Sequence, residues 1–396
     1  MDKLLFREEI FRCNYKNFFR KEENFMKSSV LTIIGRCSLV LFTFLAMVVV
    51  TLCLTINAFC HGPSTSAKKV FVTTILETGQ LKFLASIFLT PEEIQEVVNS
   101  NSMEKFNDEV NTSLIVVAAS SNKSSGKTSQ TSDGNTIINN TEKSAEEEST
   151  EEIEIIEIAG RTFFGTMMII KDPSRVSLAT IYPWKDKGDT LDSLVKDNGA
   201  IAGVNAGLYE SSGNSGGRPC GVVVSNGEIL MNKPQSYSGL VLIGLTEDNI
   251  LVIQNVSKMS KDECEAFIKE HKIRDACCFQ EETSDKNNHF VQLIINGEQR
   301  EMKGMGSGLN PRTAIGQRAD GALLLLVTDG RGTSGHLGAS ASDLINVMAE
   351  YGAVNAANLD GGSSSCMYYE DEFLMNSVTF YYANSSWRLP FAWIVK

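Results

Sequence analysis

The sequence predicts an α+β fold, with a mixed, largely antiparallel sheet and flanking helices, preceded by one transmembrane helix. Short apolar segments bounded by glycine, asparagine and aspartate recur through the second half of the 396-residue chain, and they outnumber the segments with helical periodicity. The two kinds of segment do not alternate regularly, which is typical of α+β domains. One apolar run near the N-terminus is much longer than either kind, and it predicts the transmembrane helix.

Residues 37–59 form this run, which exceeds the roughly 20 apolar residues that a helix needs to cross a bilayer. Basic residues before it favour a cytoplasmic N-terminus, a bias that Lys68 and Lys69 on the far side weaken without reversing. Residues 1–36 are long for the charged part of a cleaved signal peptide, and no clean cleavage site follows. We therefore expect a cytoplasmic tail over 1–36 and a retained signal anchor over 37–59. The protein would then be a single-pass protein of the cell membrane with its catalytic domain outside the cytoplasm.

Composition divides the rest of the chain into three parts. Residues 60–118 form a juxtamembrane segment, in which Thr90 and Pro91 predict the N-cap and first position of a short helix. Residues 119–152 combine low hydrophobicity with high charge, which predicts a disordered, acidic, Ser/Thr-rich linker before the catalytic domain at 153–396. Much of the formal net charge of −12 lies in this linker. The acidic balance argues against a nucleic-acid partner but says little about the active site.

The elements of the catalytic domain follow from local patterns. Apolar stretches predict strands, and leucine and valine at helical spacing predict two helices, the second of them stopped by a glycine. In order, we expect strands near 153–158 and 161–170, a turn at 172–175, a strand at 176–181, a helix at 189–198, and a helix at 343–351 capped by Ser342 and stopped by Gly352.

Three further apolar strands each end in a polar residue and a glycine-containing loop. Ligand sites in sheet proteins gather where strand ends open into loops, so three such ends in one domain indicate a shared site. The last of the three, at Asp360, carries this carboxylate, two glycines that let the backbone approach a ligand closely, and the hydroxyls of three serines. The three ends read Asn205-Ala-Gly, Asp329-Gly-Arg and Asp360-Gly-Gly-Ser.

A hairpin is expected to place one arginine opposite one of these carboxylates. Asp320-Gly321 predicts a two-residue loop between a strand at 310–318 and the strand that leads to Asp329. In that register Arg312 lies opposite Asp329, with Cβ atoms about 5 Å apart. A slip of one residue would move the side chains to the other face. A cross-strand salt bridge with no chemical role remains the alternative interpretation of this pair.

Four short motifs follow one another in the catalytic region: Gly203-Val-Asn205-Ala-Gly207, Asn310-Pro-Arg312-Thr313, Thr328-Asp329-Gly330-Arg331 and Asn358-Leu-Asp360-Gly-Gly362-Ser363. Over roughly residues 155–396 the chain thereby resembles the phosphodiester glycosidase family, some of whose bacterial members are exopolysaccharide-related proteins. The resemblance implies hydrolysis of a sugar-1-phosphodiester. Ala206 and Leu208 stand where many relatives have a glycine and an aromatic residue, and Ser334-Gly-His-Leu337 replaces a Gly-hydrophobic-Thr turn. These departures concern the identity of the substrate more than the class of reaction.

The implied reaction breaks the bond between an anomeric carbon and a phosphate oxygen, through a transition state with oxocarbenium character. The phosphomonoester that leaves is weakly basic, so it needs charge stabilisation, and the planar fork of arginine binds phosphate bidentately. Arg312 is the first candidate for this clamp and Arg331 the second. Asp360 is the first candidate for the carboxylate that attacks carbon or activates water. Asp329 is the alternative, or a partner that orients Arg312.

Other loop residues are candidates for binding the substrate. Asn205 and Ser363 would contact sugar hydroxyls or the phosphate. Glu210 is either a second acid or base or a solvated charge in a loop rich in glycine and serine. His336 is either a general acid or a histidine at the rim of the site. The full set of substrate-binding candidates is Asn205, Glu210, Arg331, His336, Gly361, Gly362 and Ser363.

Three functions remain open on the sequence alone. The first is a membrane-anchored extracytoplasmic glycosidase acting on glycosyl-phosphodiester links in cell-wall or surface polysaccharide, at a bacterial surface in preference to a Golgi-type compartment. The second is a non-catalytic surface module that binds anionic glycans. The third is a metal-dependent phosphodiesterase that cleaves P–O. Loop carboxylates would permit Ca²⁺ or Mg²⁺, but no dense Asp/His cluster demands one, so we expect no required cofactor and assign no metal ligand.

Overall fold

The structure, a computed structural model, falls into two compact units, residues 1–64 and 65–396. The predicted disordered linker at 119–152 lies outside the described residues except for its last one. The residues described are 2–78, 81–104, 106, 109–117, 152–378 and 385–396.

The first unit is one long helix, α1 (Asp2–His61). The most apolar 18-residue window of its stretch Thr32–His61 has a mean hydropathy of 2.8, and only 6% of that window is buried within the protein. By length and composition this stretch is sufficient to cross a membrane, and it contains the predicted span at 37–59.

Among the described residues, the second unit holds the remaining helices and all the strands. The predicted cap at Thr90 is confirmed: its hydroxyl accepts from the amide of Glu93, and the Glu93 carboxylate accepts from the amide of Thr90. The predicted cap at Ser342 is wrong, because Ser340 makes the equivalent reciprocal pair with Asp343 and the helix begins two residues earlier. The helices are α2 (Thr65–Leu76), α3 (Phe83–Phe88), α4 (Pro91–Asn99), α5 (Leu191–Asp197), α6 (Lys261–Glu270) and α7 (Ala341–Glu350).

The strands form three larger sheets and two short ribbons. In chain order they are β1 (Ile153–Ala159), β2 (Phe164–Ile170), β3 (Val176–Thr180), β4 (Ala202–Asn205), β5 (Tyr209–Glu210), β6 (Arg218–Pro219), β7 (Val222–Ser225), β8 (Glu228–Asn232), β9 (Leu240–Thr246), β10 (Leu251–Asn255), β11 (Ile273–Gln280), β12 (Glu282–Thr283), β13 (Asn288–His289), β14 (Gln292–Ile295), β15 (Glu298–Gln299), β16 (Arg312–Arg318), β17 (Leu323–Thr328), β18 (Ala353–Asn358), β19 (Met367–Tyr369), β20 (Glu372–Met375) and β21 (Phe391–Val395).

The largest sheet has seven strands in the order β1-β2-β17-β16-β18-β14-β15. The two five-stranded sheets run β10-β9-β11-β7-β8 and β20-β19-β4-β21-β3, and β5-β6 and β12-β13 are two-stranded ribbons. Neighbouring strands pair antiparallel in every sheet of the described chain. About 30% of the protein is helix and 33% strand. The predicted α+β class is therefore confirmed, with an antiparallel sheet architecture.

Both faces of the seven-stranded sheet are buried, which explains the unbroken apolar sequence of β17. Leu323 and Leu325 point into a core shared by the three larger sheets, whereas Leu324 and Leu326 point into a second core under α7. A strand buried on both faces reads as a continuous apolar run instead of an alternating one. Either core loses contacts if this strand shifts by one residue, so the register of the sheet is firmly specified.

The hairpin between β16 and β17 differs from the prediction by one residue. Arg312 lies opposite Thr328, and the amide of Arg318 donates to the carbonyl of Ala322 (2.9 Å). The loop therefore has three residues, 319–321, and its last one, Gly321, has a φ of +90° that favours glycine. The predicted pairing of Arg312 with Asp329 is thus wrong, because the third loop residue shifts Asp329 past the end of the ladder.

Candidate active site

The ends of β4, β17 and β18 meet at one place, as the sequence predicts. The amide of Asp360 donates to the carbonyl of Ala206 (3.1 Å), and Nδ2 of Asn205 donates to the carbonyl of Asp360 (2.6 Å). These two bonds join the end of β4 to the end of β18. Nη1 of Arg331, three residues beyond β17, donates to Oγ of Ser363 (2.9 Å) and links the third end to the other two. A single group of loops therefore carries the predicted site residues Asn205, Arg331, Asp360 and Ser363.

Asn205 is fully buried and acts within the protein through both ends of its amide. Its Oδ1 accepts from the hydroxyl of Thr313 (2.7 Å) and from the amide of Cys366 (3.2 Å), while its Nδ2 holds the carbonyl of Asp360. Both polar side-chain atoms of Asn205 are thus engaged within the protein, and they tie the backbone at Asp360 and Cys366 to β4 and to Thr313 of β16. This geometry assigns it to the support of the loop rather than to the walls of an open cavity.

Asp360 is partly buried, and its carboxyl group has an unusual pKa. Burial raises the pKa of Asp360 to about 6. Hydrogen bonds from Ser364 and Gly361, together with the charge of Arg331, act in the opposite direction, but their effect on the pKa is smaller than that of burial. The amide of Gly361 donates to Oδ1 at 3.0 Å. A carboxyl group that titrates near neutral pH is suited to proton transfer, and such groups concentrate in active sites.

A tyrosine that the sequence analysis did not single out completes the surroundings of this carboxyl group. The hydroxyl of Tyr209, at the start of β5, lies 2.9 Å from Oγ of Ser364, which in turn hydrogen-bonds to Asp360. Burial, together with the nearby charge of Asp360, raises the pKa of Tyr209 above its ordinary value. Tyr209 therefore remains protonated and can donate along the chain of hydroxyls toward the carboxylate. Its position directly after the Asn205 loop was the available clue in the sequence.

Gly362 and Arg331 bring a guanidinium group over the Asp360 loop. Gly362 has a φ of +64° and begins a single 3₁₀ turn, and a Cβ atom added there would lie 2.5 Å from Nη2 of Arg331. Arg331 itself has a φ of +54°, a conformation that non-glycine residues rarely adopt. The absence of a side chain at Gly362 thus lets the arginine lie directly on the backbone of the loop.

Asp329 pairs with a histidine instead of with Arg312. Oδ2 of Asp329 lies 2.6 Å from Nδ1 of His336, and Oδ1 accepts from the amide of Phe164 (2.7 Å). Asp329 is buried, whereas the imidazole is about one-third exposed. A buried carboxylate that holds Nδ1 of a histidine fixes the orientation of the ring. The two predicted site residues Asp329 and His336 therefore form one unit.

The partner of Arg312 is Glu77, which lies 235 residues earlier and just beyond α2. Nη2 of Arg312 and Oε2 of Glu77 form an ion pair whose side chains are 7% and 2% exposed. The sequence analysis did not single out Glu77, because no local pattern distinguishes it from other carboxylates near a helix end. The structure thus places Arg331, and not Arg312, as the cation whose charge acts on Asp360.

Glu210 lies at the end of β5, at the rim of the same loops. It is exposed, and its carboxylate accepts a hydrogen bond from the hydroxyl of Tyr237. This hydrogen bond, followed by burial, raises the pKa of Tyr237. Burial also raises the pKa of the neighbouring Cys220 thiol to about 11, so the thiol is protonated at neutral pH.

The arrangement offers a titratable carboxyl group, a guanidinium group beside it and a carboxylate–imidazole pair nearby. These are the parts that hydrolysis of an anionic substrate requires: a nucleophile or base, an anion clamp and a proton donor. Within the described ranges, no three His, Cys, Asp or Glu side chains are grouped so that they would hold a metal ion.

Comparison with known proteins gives the family. The profile of the phosphodiester glycosidase family matches residues 198–396, about half of the chain. The SPbeta prophage-derived uncharacterized protein YomE of Bacillus subtilis (strain 168) is 40% identical over 67 residues, which are 17% of this chain and 10% of that protein. The similarity thus spans about a tenth of that relative's length.

Three solved structures are similar at low identity. One is the zebrafish N-acetylglucosamine-1-phosphodiester alpha-N-acetylglucosaminidase catalytic domain auto-inhibited by pro-peptide, with a TM-score of 0.46, 18% identity, and coverage of 61% of this chain and 81% of that one. A protein of Burkholderia pseudomallei K96243 has a TM-score of 0.39 and 15% identity, with coverage of 59% of this chain and 74% of that one. A hypothetical protein from Synechocystis has a TM-score of 0.38 and 18% identity, covering 62% and 61%.

Proposed function

We propose, because the chain belongs to the phosphodiester glycosidase family, that it hydrolyses a sugar-1-phosphodiester by cleaving the bond between the anomeric carbon and the phosphate oxygen. The observation that supports the proposal is the carboxyl group of Asp360, whose pKa burial raises to about 6 and on which the charge of Arg331 acts. A phosphodiester is an anion, and it would bind next to that guanidinium group with its anomeric carbon toward the carboxylate.

The proposed step uses the ionised form of Asp360. Its carboxylate either attacks the anomeric carbon or takes a proton from a water molecule that does so. The carbon–oxygen bond breaks, and the electron pair leaves with the phosphomonoester, whose charge Arg331 and Ser363 stabilise. If Asp360 attacks the carbon, a water molecule then hydrolyses the covalent glycosyl ester and frees the carboxylate. In either route the water oxygen ends on the sugar, and one proton of the water passes to Asp360 or to solvent. The imidazole of His336, oriented by Asp329, is the proton donor available at the rim.

The location and natural substrate that we propose follow from the N-terminal helix. Because Thr32–His61 is sufficient to cross a membrane, the enzyme would be anchored there with its catalytic unit outside the cytoplasm. A surface enzyme of this class meets phosphodiester links in surface polysaccharide and other cell-surface glycans. Nothing in the proposed step calls for a metal ion or cofactor, although Ca²⁺ or Mg²⁺ at the loop carboxylates is compatible with it.

The test uses the full-length chain in detergent micelles with a panel of sugar-1-phosphodiesters, with and without EDTA. We expect free sugar from the parent protein and a loss of about 1,000-fold or more for Asp360→Asn, because the substituted group carries no negative charge at any pH. Asp248→Asn, in an exposed turn between β9 and β10, is the matched control and should retain full activity. Full activity in Asp360→Asn would contradict the proposal.

Two other outcomes would replace it. Glycan binding without release of sugar from any substrate would favour a non-catalytic surface module. Turnover that EDTA abolishes and that leaves the sugar–oxygen bond intact would favour a metal-dependent phosphodiesterase.

A further inference from the structure

Glu77 buries its carboxylate in the loop of residues 300–311, between β15 and β16. Its Oε1 accepts hydrogen bonds from the amide of Gly308 (2.8 Å) and from Nδ2 of Asn288 (3.0 Å). Its Oε2 accepts from Nδ2 of Asn310 (3.1 Å) and pairs with Nη2 of Arg312. Four donors, one of them charged, therefore surround a carboxylate that is 2% exposed. Pairing of this completeness offsets the cost of taking a carboxylate out of water.

The segment that carries Glu77 is attached to the same loop at further points. The hydroxyl of Thr74, on the last turn of α2, accepts from the amide of Leu309 (3.0 Å). Asn101, after α4, both donates to and accepts from the backbone of this loop, at 3.0 and 2.8 Å. The backbone of Thr74 lies so close to Gly308 that a Cβ atom at Gly308 would overlap it. The position of Glu77 is therefore fixed by the packing of the segment around it.

Arg312 is held on three sides and open on one. Its Nε donates to the carbonyl of Ala339 (3.1 Å), its Nη2 donates to the carbonyl of Gly308 (2.8 Å), and Phe290 lies under the guanidinium, 4.9 Å from ring centre to Cζ. Nη1 has no hydrogen-bond partner in the part of the chain that the structure describes. The other site cation lies close by, because a Cβ atom added at Gly361 would lie 3.9 Å from Cδ of Arg312 and one added at the adjacent Gly362 would lie 2.5 Å from Nη2 of Arg331. Burial, and then the charge of Arg312, lower the pKa of Arg331.

Two guanidinium groups near one another repel, so each needs a counter-charge to stay in place. Asp360 provides one for Arg331, and Glu77 provides one for Arg312. An anionic substrate between the two cations would add a further negative charge to both. Without Glu77, Arg312 would hold a buried charge with no partner until substrate bound.

We propose that Glu77 is a positioning residue of the active site. It fixes the guanidinium of Arg312 and compensates its charge, so that the open Nη1 is directed to the phosphate of the substrate beside Arg331. This inference rests on the proposed function, because it takes Arg312 to contact the phosphate. It also makes the segment from Thr65 to Glu104 a working part of the enzyme, although the family profile matches only residues 198–396.

The test replaces Glu77 by alanine in the full-length chain and adds sodium acetate. The substitution leaves a gap of about the size of acetate, lined by the same four donors. We expect kcat/KM to fall about 100-fold, mainly through a higher KM, which is the scale of effect that a misplaced binding group produces. Acetate should restore at least about a tenth of the parent value, because it returns a carboxylate to Arg312. It should also raise the midpoint of thermal unfolding of the variant more than that of the parent.

Asn101→Ala is the matched control, because it removes two bonds between the same segment and the same loop without touching Arg312. It should lower the unfolding midpoint and leave kcat/KM insensitive to acetate. A Glu77→Ala variant that is more active than the parent, or that acetate inhibits, would show that Glu77 blocks the site, and would overturn the proposal. Unchanged kcat/KM, or no stabilisation by acetate, would overturn it as well. A parent protein that turns over no substrate would instead refute the proposed function, and this inference with it.

Discussion

Replacing Asp360 by asparagine is expected to stabilise the protein at neutral pH while it removes activity. Burial raises the pKa of this group from 3.8 to about 6. The difference, about 6 minus 3.8, is roughly 2 pH units, and at about 1.4 kcal/mol for each unit the ionised carboxylate costs the folded state about 3 kcal/mol. Asparagine carries no charge, so it escapes this cost.

The sign of the effect depends on pH. Below pH 3.8 both the folded and the unfolded protein hold the proton, and the carboxyl group costs nothing. Between pH 3.8 and about 6 the folded state holds the proton more tightly, so the free energy of unfolding contributed by Asp360 falls as the pH rises. Above about pH 6 the whole cost is present. The advantage of Asp360→Asn should therefore be largest at pH 8 and about half as large at pH 5.

Thermal unfolding of the full-length parent and variant, each in the same detergent at pH 5 and pH 8, measures this difference. For a unit of this size about 3 kcal/mol corresponds to a rise of roughly 4 °C in the midpoint at pH 8. Asp248→Asn, in its exposed turn, should shift the midpoint little at either pH. A gain that is equal at pH 5 and pH 8, or no gain at all, would show that Asp360 is not desolvated in the folded protein.

Three further outcomes are expected. If the ionised Asp360 acts in the reaction, kcat/KM should fall about tenfold for each pH unit below about pH 6, and a flat profile from pH 5 to 8 would contradict this. Gly362→Ala should lower kcat/KM, because the added methyl group displaces Arg331. Gly297→Ala is its control and should affect stability alone, because the added methyl group meets open space. Equal kcat/KM in the two variants would count against the close approach of Arg331 to Gly362. His336→Ala should lower the free energy of unfolding, measured in urea, by about 2 kcal/mol, because the buried carboxylate of Asp329 loses a hydrogen bond. An unchanged free energy of unfolding would show that the pair does not stabilise the fold.

The sequence was most informative where function depends on strand ends. Asn205, Asp329 and Asp360 each follow an apolar strand, and the structure brings the loops that carry them together. The ends of β17 and β18 were predictable neighbours, because loops at one edge of a sheet lie close together. The end of β4 belongs to another sheet, and its approach to them depends on how the two sheets pack. The confirmed α+β class rests on the same local patterns.

Two features of the structure could not be predicted from the sequence, for physical reasons. The Asp320-Gly321 pair suggested a two-residue loop, but the positive φ of Gly321 also suits a three-residue loop, and the choice moved Arg312 away from Asp329. The pairing of Glu77 with Arg312 joins residues 235 positions apart. Side-chain partners at such separations are decided by tertiary packing, which no local periodicity records.

The position of the broken bond tests the central claim most directly. The full-length parent would hydrolyse a sugar-1-phosphodiester in water enriched in oxygen-18, and the released phosphomonoester would be examined by mass spectrometry. The phosphate is the informative product, because the anomeric hydroxyl of a free sugar exchanges slowly with water. Cleavage at the anomeric carbon by Asp360 predicts an unlabelled phosphate and no product from Asp360→Asn. An oxygen-18 atom on the phosphate would show cleavage at phosphorus and contradict the account.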